Sequence, residues 1–119
     1  MLFRSYHVYY YIDAQLRVLE GGALDSHDAL SWETPEFTDE VSWKTFLGRS
    51  WEQVEMLATL IEALPDERLW EPFAGGKYGN YYRNLSGVIE HCFYHLGQIV
   101  LIRKAMGEDV DQTFLDSNN

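Results

Sequence analysis

Two histidines one helical turn apart give this sequence its clearest chemical signal. His91 and His95 lie within residues 87–107, where apolar residues recur at the spacing of an amphipathic helix. Four residues of helix separate two side chains by about 6 Å along the axis and about 40° around it, so the two imidazoles share one face. Imidazole nitrogens bind transition metals with bonds of about 2.0–2.1 Å. The spacing alone is compatible with a metal site, and also with a hydrogen-bonded core histidine or a surface pair.

A third imidazole strengthens the metal interpretation. His7 lies in the second turn of another predicted helix, which is rich in tyrosine. An open metal site is typically built from three protein ligands on facing helices and one exchangeable position. The motif is not that of the helical zinc proteases, because Cys92 rather than glutamate follows His91. The sequence therefore predicts a metal site formed by His7, His91 and His95.

Three neighbouring side chains have candidate roles at this site. Cys92 is expected to be a small core residue rather than a fourth ligand. Gln98 lies on the same side of the helix as the histidines and either hydrogen-bonds a bound water or substrate or reaches solvent. Tyr94 either hydrogen-bonds near the site or packs against its surroundings. Gln98 and Tyr94 are the candidate catalytic residues, and the residues identify no further acid, base or cofactor-binding group.

Composition limits the classes of function. The chain has 119 residues, enough for one domain with one core. Its 9 basic and 19 acidic residues give a formal net charge of −10, which disfavours nucleic-acid and anionic-membrane partners. Cys92 is the single cysteine, so no internal disulfide forms and a reducing compartment is expected. Without a signal peptide or a long apolar run, the expectation is a soluble cytoplasmic protein that acts on a small molecule.

The periodicity of apolar residues predicts a single all-α domain over residues 1–119. A tyrosine-rich helix is followed by a long acidic connection, which Trp32 and Phe37 are expected to attach to the body of the protein. Asn80 or Asn84 is the expected cap of the last helix. The predicted elements are a helix at 2–20, the connection at 23–41, a helix at 42–64, a loop at 65–82 with one helical turn at 66–69, a last helix ending at 106, and a flexible acidic tail at 108–119.

The last helix resembles a known signature. The run from His91 through Tyr94, His95 and Gln98 to Lys104 is similar to the H-x-x-Y-H-x-G-Q-I pattern of the DinB/YfiT-like metalloenzymes. The first predicted helix, in which His7 is followed by an aromatic run and a terminal glycine, resembles the second helix of that family. The resemblance covers most of residues 4–107.

The resemblance implies a four-helix bundle with a long connection between its second and third helices. It also implies a divalent ion, most often nickel or zinc, held by His7, His91 and His95. Related proteins transfer low-molecular-weight thiols or act as metal-dependent hydrolases. The implied function is activation of such a thiol, as a co-substrate, or of water by the bound ion.

This sequence has no counterpart of the family's first helix, so only three main helices are expected. The chain is then a fragment, or another molecule covers the exposed apolar surface, for which a homodimer is the expected solution. A second interpretation of the whole chain is a non-catalytic dimeric metal-binding, stress or interaction module. Its tyrosines would then be packing or interface residues.

Overall fold

Four α-helices form the described part of the protein, and the prediction of an all-α fold is confirmed. The computed structural model describes residues 2–107, with side chains from residue 4 onward. The predicted flexible tail at 108–119 lies outside the described residues. The helices are α1 (Leu2–Leu19), α2 (Asp28–Ser31), α3 (Glu40–Ala63) and α4 (Tyr81–Ala105), and a 3₁₀ turn spans Asp66–Trp70.

Local capping signals explain where the long helices begin and end. After α1, Gly21 adopts a positive φ of 94°, and the amide of Gly22 donates to the carbonyl of Arg17 at 2.8 Å. This is the glycine-based ending that the sequence predicts. Asp39 caps α3 by accepting from the amide of Ser42 at 2.7 Å. Asn80, one of the two predicted cap residues, caps α4 in the same manner by accepting from the amide of Arg83.

The core lies around α1, which packs against both α3 and α4. The Cα atoms of α3 and α4 stay more than 8 Å apart. Side chains of all three helices nevertheless meet in one cluster, formed by Ile12, Leu57 and Val88. A second cluster surrounds Phe73, whose side chain is 1% exposed, and joins the loop before α4 to the end of α1. The histidine-bearing helices α1 and α4 are therefore held directly against each other.

Two apolar stripes remain exposed, which we call the α3 stripe (Leu47, Trp51, Val54) and the α4 stripe (Ile89, Phe93, Leu96). Leu47 and Val54 recur at the apolar spacing of α3, yet both are exposed. Leu47 is 43% exposed because α1 covers only one side of α3. The described helices thus leave apolar surface without a protein contact.

Helix α4 is also long and apolar enough, by length and composition, to cross a membrane, and only 17% of the most apolar 18-residue window is buried. No other helix among residues 2–107 has this character. Two of its histidines face α1, which is the arrangement of a helix packed in a bundle. The expectation of a protein without membrane contact stays a prediction.

Candidate metal centre

Helices α1 and α4 bring the three predicted histidines together. His7 Nε2 lies 2.9 Å from His91 Nε2, and His95 Nε2 lies 3.0 Å from the same atom. One ligand atom from each ring lies within 4.8 Å of the others, close enough for the three to hold a metal ion. His7 and His95 are buried, at 3% and 5% exposure, and His91 is half-buried. The spacing of His91 and His95 along α4 and the packing of α1 against α4 therefore bring the three imidazoles into one small volume.

The hydrogen bonds of Gln98 fix the tautomer of His95. Arg4 Nε can only donate, and it forms a 3.1 Å hydrogen bond to Gln98 Oε1. The atom that it contacts is therefore the oxygen of the Gln98 amide and not the nitrogen. The same oxygen lies 2.7 Å from His95 Nδ1. Because the oxygen accepts both bonds, Nδ1 of neutral His95 carries the proton and Nε2 has a free lone pair. That lone pair is on the ring atom that faces the other histidines.

Ser31 has the same effect on His7. The hydroxyl of Ser31 donates its single proton to the carbonyl of Asp28 at 2.6 Å. The 2.7 Å contact between His7 Nδ1 and Ser31 Oγ is then donated by the imidazole. Neutral His7 therefore also directs an unprotonated Nε2 toward the centre. Metal-binding histidines characteristically donate their second ring N–H in this way.

The acidic connection forms part of the wall of this centre. Trp32, at the end of α2, stacks on His7 with ring centroids 3.8 Å apart and an interplanar angle of 14°. The hydroxyl of Tyr11 donates to the carboxylate of Asp28, and its ring meets His91 edge-on. Burial and the hydrogen bond to Asp28 raise the pKa of Tyr11 to about 12. The Tyr11 hydroxyl thus stays protonated and holds α2 against α1.

The environment of His7 and His91 favours their neutral forms. Burial, with the neighbouring His91 and His95, lowers the pKa of His7 to about 4. Burial and the nearby His95 also lower the pKa of His91. Below its pKa an imidazole has no lone pair for a metal, so a lowered pKa keeps both rings competent as ligands near neutral pH.

Two of the three distances between the ring nitrogens are close to those expected for ligands of a single transition-metal ion. Two nitrogens bound to one ion at about 2.1 Å lie about 3.0 Å apart at a 90° angle and about 3.4 Å apart at a tetrahedral angle. The two contacts of His91, at 2.9 and 3.0 Å, fall at the short end of this range. His91 Nδ1 is buried and has no hydrogen-bond partner among the described residues. Two of the three ligands therefore have the supporting contact of a metal-binding histidine, and the third does not.

The other candidate residues have distinct positions. Gln98 lies behind His95 and orients its ring, a role that the sequence analysis did not consider. Tyr94 is 65% exposed, and its ring meets His95 edge-on with centroids 5.1 Å apart. Cys92 is half-buried against the core formed by Ile12, Leu57 and Val88, and burial raises the pKa of its thiol. This position agrees with the expected core role of Cys92.

Several contributors were missed by sequence reasoning. Asp28 and Ser31 belong to a four-residue helix too short to produce periodicity, and no pattern signalled them. Trp32, which follows this helix, was expected to attach the connection to the body, but its stacking on His7 was not foreseen. Tyr11 did have a signal, because it follows His7 by four residues and so shares its face of α1. Arg4 had none, since its partner Gln98 lies 94 positions away.

A cavity of about 590 Å³ adjoins the histidine cluster. His7 and His91 line one part of it, while Gln98 and Tyr94 are not among its lining residues. The remaining lining comes from α1, from the connection, from Tyr78 in the loop before α4 and from the first half of α4. A ligand in this cavity would have direct access to two of the three histidines.

Comparisons with known proteins found no match to this chain. No family model, curated protein or solved structure is similar to it. The resemblance to the DinB/YfiT-like proteins therefore rests on the residues quoted above. The structure by itself defines an all-α protein with a three-histidine cluster between two of its helices.

Proposed function

We propose that this protein is a DinB-like metal-dependent enzyme in which His7, His91 and His95 hold one divalent transition-metal ion. Nickel and zinc are the proposed ions, since imidazole ligands suit both. When bound, such an ion lowers the pKa of a coordinated water or thiol and so supplies a nucleophile at neutral pH. The proposed reaction is transfer of a low-molecular-weight thiol or hydrolysis.

The proposal is carried by the direction of the imidazole protons. His7 and His95 both place Nδ1–H on an oxygen acceptor and leave Nε2 free toward a common centre. An exposed pair of histidines would not be expected to have the same tautomer or to direct their free Nε2 atoms toward one buried point. Three neutral rings that meet without an ion would also leave one Nε2 acceptor without a donor, since a single N–H of His91 faces the acceptors of both His7 and His95.

The residues of the chain have separable roles in this proposal. Ser31 and Gln98 orient the ligand rings, so Gln98 is a positioning residue for His95. Trp32 covers one face of His7 and limits the access of bulk solvent. The cavity admits a substrate beside His91. Tyr94 does not line this cavity and has no role in the proposal.

A second candidate function is supported by the two exposed apolar stripes. A non-catalytic metal-binding module that associates through these surfaces would need the same histidines but no turnover. Metal content does not separate the two candidates, whereas turnover does.

Elemental analysis followed by a thiol-transfer assay tests the proposal. Untagged wild-type protein is expected to hold about one divalent ion per chain and to conjugate an electrophile with at least one cellular thiol, or to hydrolyse an ester, in a chelator-sensitive manner. His95→Ala should lose both properties. His27→Ala is the matched control, because His27 is exposed on the connection. Wild-type protein that binds metal without turnover would support the non-catalytic module and contradict the enzyme. Wild-type protein that binds no metal would contradict both candidate functions.

A further inference from the structure

The cavity beside the histidines contains polar groups that the metal proposal does not use. Its volume of about 590 Å³ lies in the range of small-molecule sites, about 300–1,000 Å³. Ala14, Leu24 and Val88 give it an apolar side. Gln15 and Arg83 add an amide and a guanidinium. A mostly apolar pocket with a few convergent polar groups is the usual form of a binding site.

Arg83, an exposed residue, contributes a positive charge that no group in the described part of the protein neutralises. Its guanidinium makes no ion pair or hydrogen bond within residues 2–107, and only its backbone amide is bonded, to the cap residue Asn80. Gly79 leaves room for this side chain, since a Cβ there would lie 2.9 Å from Arg83 Cδ. In a chain with 19 acidic residues, an unpaired arginine beside a cavity favours an anionic ligand.

Gln15 contributes a buried acceptor without a donor. The residue is 8% exposed, and its Oε1 is buried without a hydrogen-bond partner among the described residues. An unsatisfied buried acceptor is costly, and Gln15 lines the cavity, so a ligand that reaches its amide would supply the missing donor. His91 Nδ1 is a second buried polar atom of this lining without a partner.

Asp28 sets the orientation of such a ligand. Its carboxylate also lines the cavity, and the hydrogen bond from Tyr11 lowers its pKa and keeps it ionised. The cavity therefore has a positive group from α4 and a negative group from α2. An anionic end is attracted to Arg83 and repelled by Asp28, so the donor end faces Asp28 and Gln15.

We propose that the cavity binds a small carboxylate that carries an N–H donor and an apolar group, with the carboxylate on Arg83 and the N–H on Gln15 Oε1. This inference rests on the proposed function, because it assigns the substrate class of the same site. The size of the cavity suits a molecule as large as an N-acylated amino acid.

Calorimetric titration with three matched probes tests the proposal. N-acetyl-L-phenylalanine has the carboxylate and the N–H, N-acetyl-L-phenylalaninamide has no charge, and 4-phenylbutanoate has no N–H. Chelator-treated full-length protein is used, so that direct binding of a carboxylate to a metal does not contribute. Wild-type protein should bind N-acetyl-L-phenylalanine about tenfold more tightly than the neutral amide and severalfold more tightly than 4-phenylbutanoate.

Two variants assign the selectivity to residues. Arg83→Gln should make the acid and the neutral amide bind equally, while Arg49→Gln, the same substitution at an exposed site on α3, should not. Gln15→Met should remove the preference over 4-phenylbutanoate. The proposal is overturned if wild-type protein binds the neutral amide as tightly as the acid, if none of the probes binds at millimolar concentration, or if Arg83→Gln keeps the discrimination.

The failure of this proposal is distinguishable from that of the proposed function. Metal stoichiometry is measured separately on wild type and Arg83→Gln, and both should hold about one ion per chain. Metal without charge selectivity overturns the substrate class alone. Charge selectivity without metal overturns the enzyme proposal and leaves the cavity as a carboxylate-binding site.

Discussion

At the scale of single residues, the centre depends on which nitrogen of each ring carries the proton. Ser31 and Gln98 determine this for His7 and His95 by accepting from Nδ1. Neither acceptor needs to touch the ion to control its affinity, because a ring with the wrong tautomer presents an N–H instead of a lone pair. Residues behind the histidines are therefore as informative to mutate as the histidines.

We predict that Ser31→Ala weakens metal binding about 10- to 100-fold with little change in fold, since His7 Nδ1–H loses its acceptor. Competition with a chromophoric chelator measures the affinity, and circular dichroism checks the helix content. Ser50→Ala is the control, because that hydroxyl bonds only to Phe46 within α3. Equal affinities for wild type and Ser31→Ala would show that Ser31 does not orient His7.

We also predict that the metal-free protein loses stability as the pH falls below about 6.5. His7 has a pKa of about 4 when folded and about 6.5 when unfolded, so between these values the unfolded chain binds more protons. The free energy of unfolding should fall by about 2 kcal/mol between pH 7 and pH 5 on account of His7. Urea unfolding of His7→Gln should show a smaller fall, and His27→Gln should match wild type. If the free energy of unfolding depends on pH in the same way in His7→Gln as in wild type, the lowered pKa of His7 is contradicted.

At the scale of elements, the sequence predicted the three long helices to within about two residues because their caps are local. Asp39, Asn80 and the Gly21–Gly22 pair act on neighbouring backbone groups, and these signals are visible in sequence. Helix α2 was not predictable, since four residues have no period and its order comes from distant contacts of Trp32 and Ser31 with His7. The same holds for the residues of the site. The three histidines could be predicted from their spacing and from the family resemblance, whereas the residues that orient them, Ser31 and Gln98, could not.

The loop before α4 gives an element-scale prediction. Phe73 is fully buried against Tyr81 and Leu85, and its amide donates to the carbonyl of Gly79 at 3.0 Å. Phe73→Ala should lower the free energy of unfolding by about 3–5 kcal/mol. Trp70→Ala, at a 63% exposed aromatic nearby, should change it by less than about 1 kcal/mol. Equilibrium unfolding in urea measures both, and similar losses would mean that Phe73 does not anchor the loop.

At the scale of the whole molecule, the apolar stripes of α3 and α4 are the main unexplained surface. Trp51 and Phe93 are 66% and 69% exposed, and exposed contiguous apolar surface typically marks an interaction site. Two copies of the chain that pack these stripes together would bury them without a further component. The homodimer expected from the sequence stays a prediction, with this surface as its location.

We predict that wild-type protein sediments as a dimer and that Phe93→Lys shifts it toward monomer, because a charge would be buried in an apolar contact. Trp70→Lys is the control, since Trp70 is equally exposed but lies outside both stripes. Sedimentation velocity over a range of concentrations measures the mass. A wild-type monomer at all concentrations would contradict self-association, and binding to lipid vesicles would assign the α4 stripe to a membrane surface instead.

The central claim is that three imidazoles bind one ion, and X-ray absorption at the metal edge of zinc-loaded protein tests it most directly. The account predicts one zinc per chain with three imidazole nitrogens at about 2.0–2.1 Å, and loss of one such ligand or of the ion in His7→Ala. The spectrum of His27→Ala should equal that of wild type. An unchanged spectrum and stoichiometry in His7→Ala would contradict the claim.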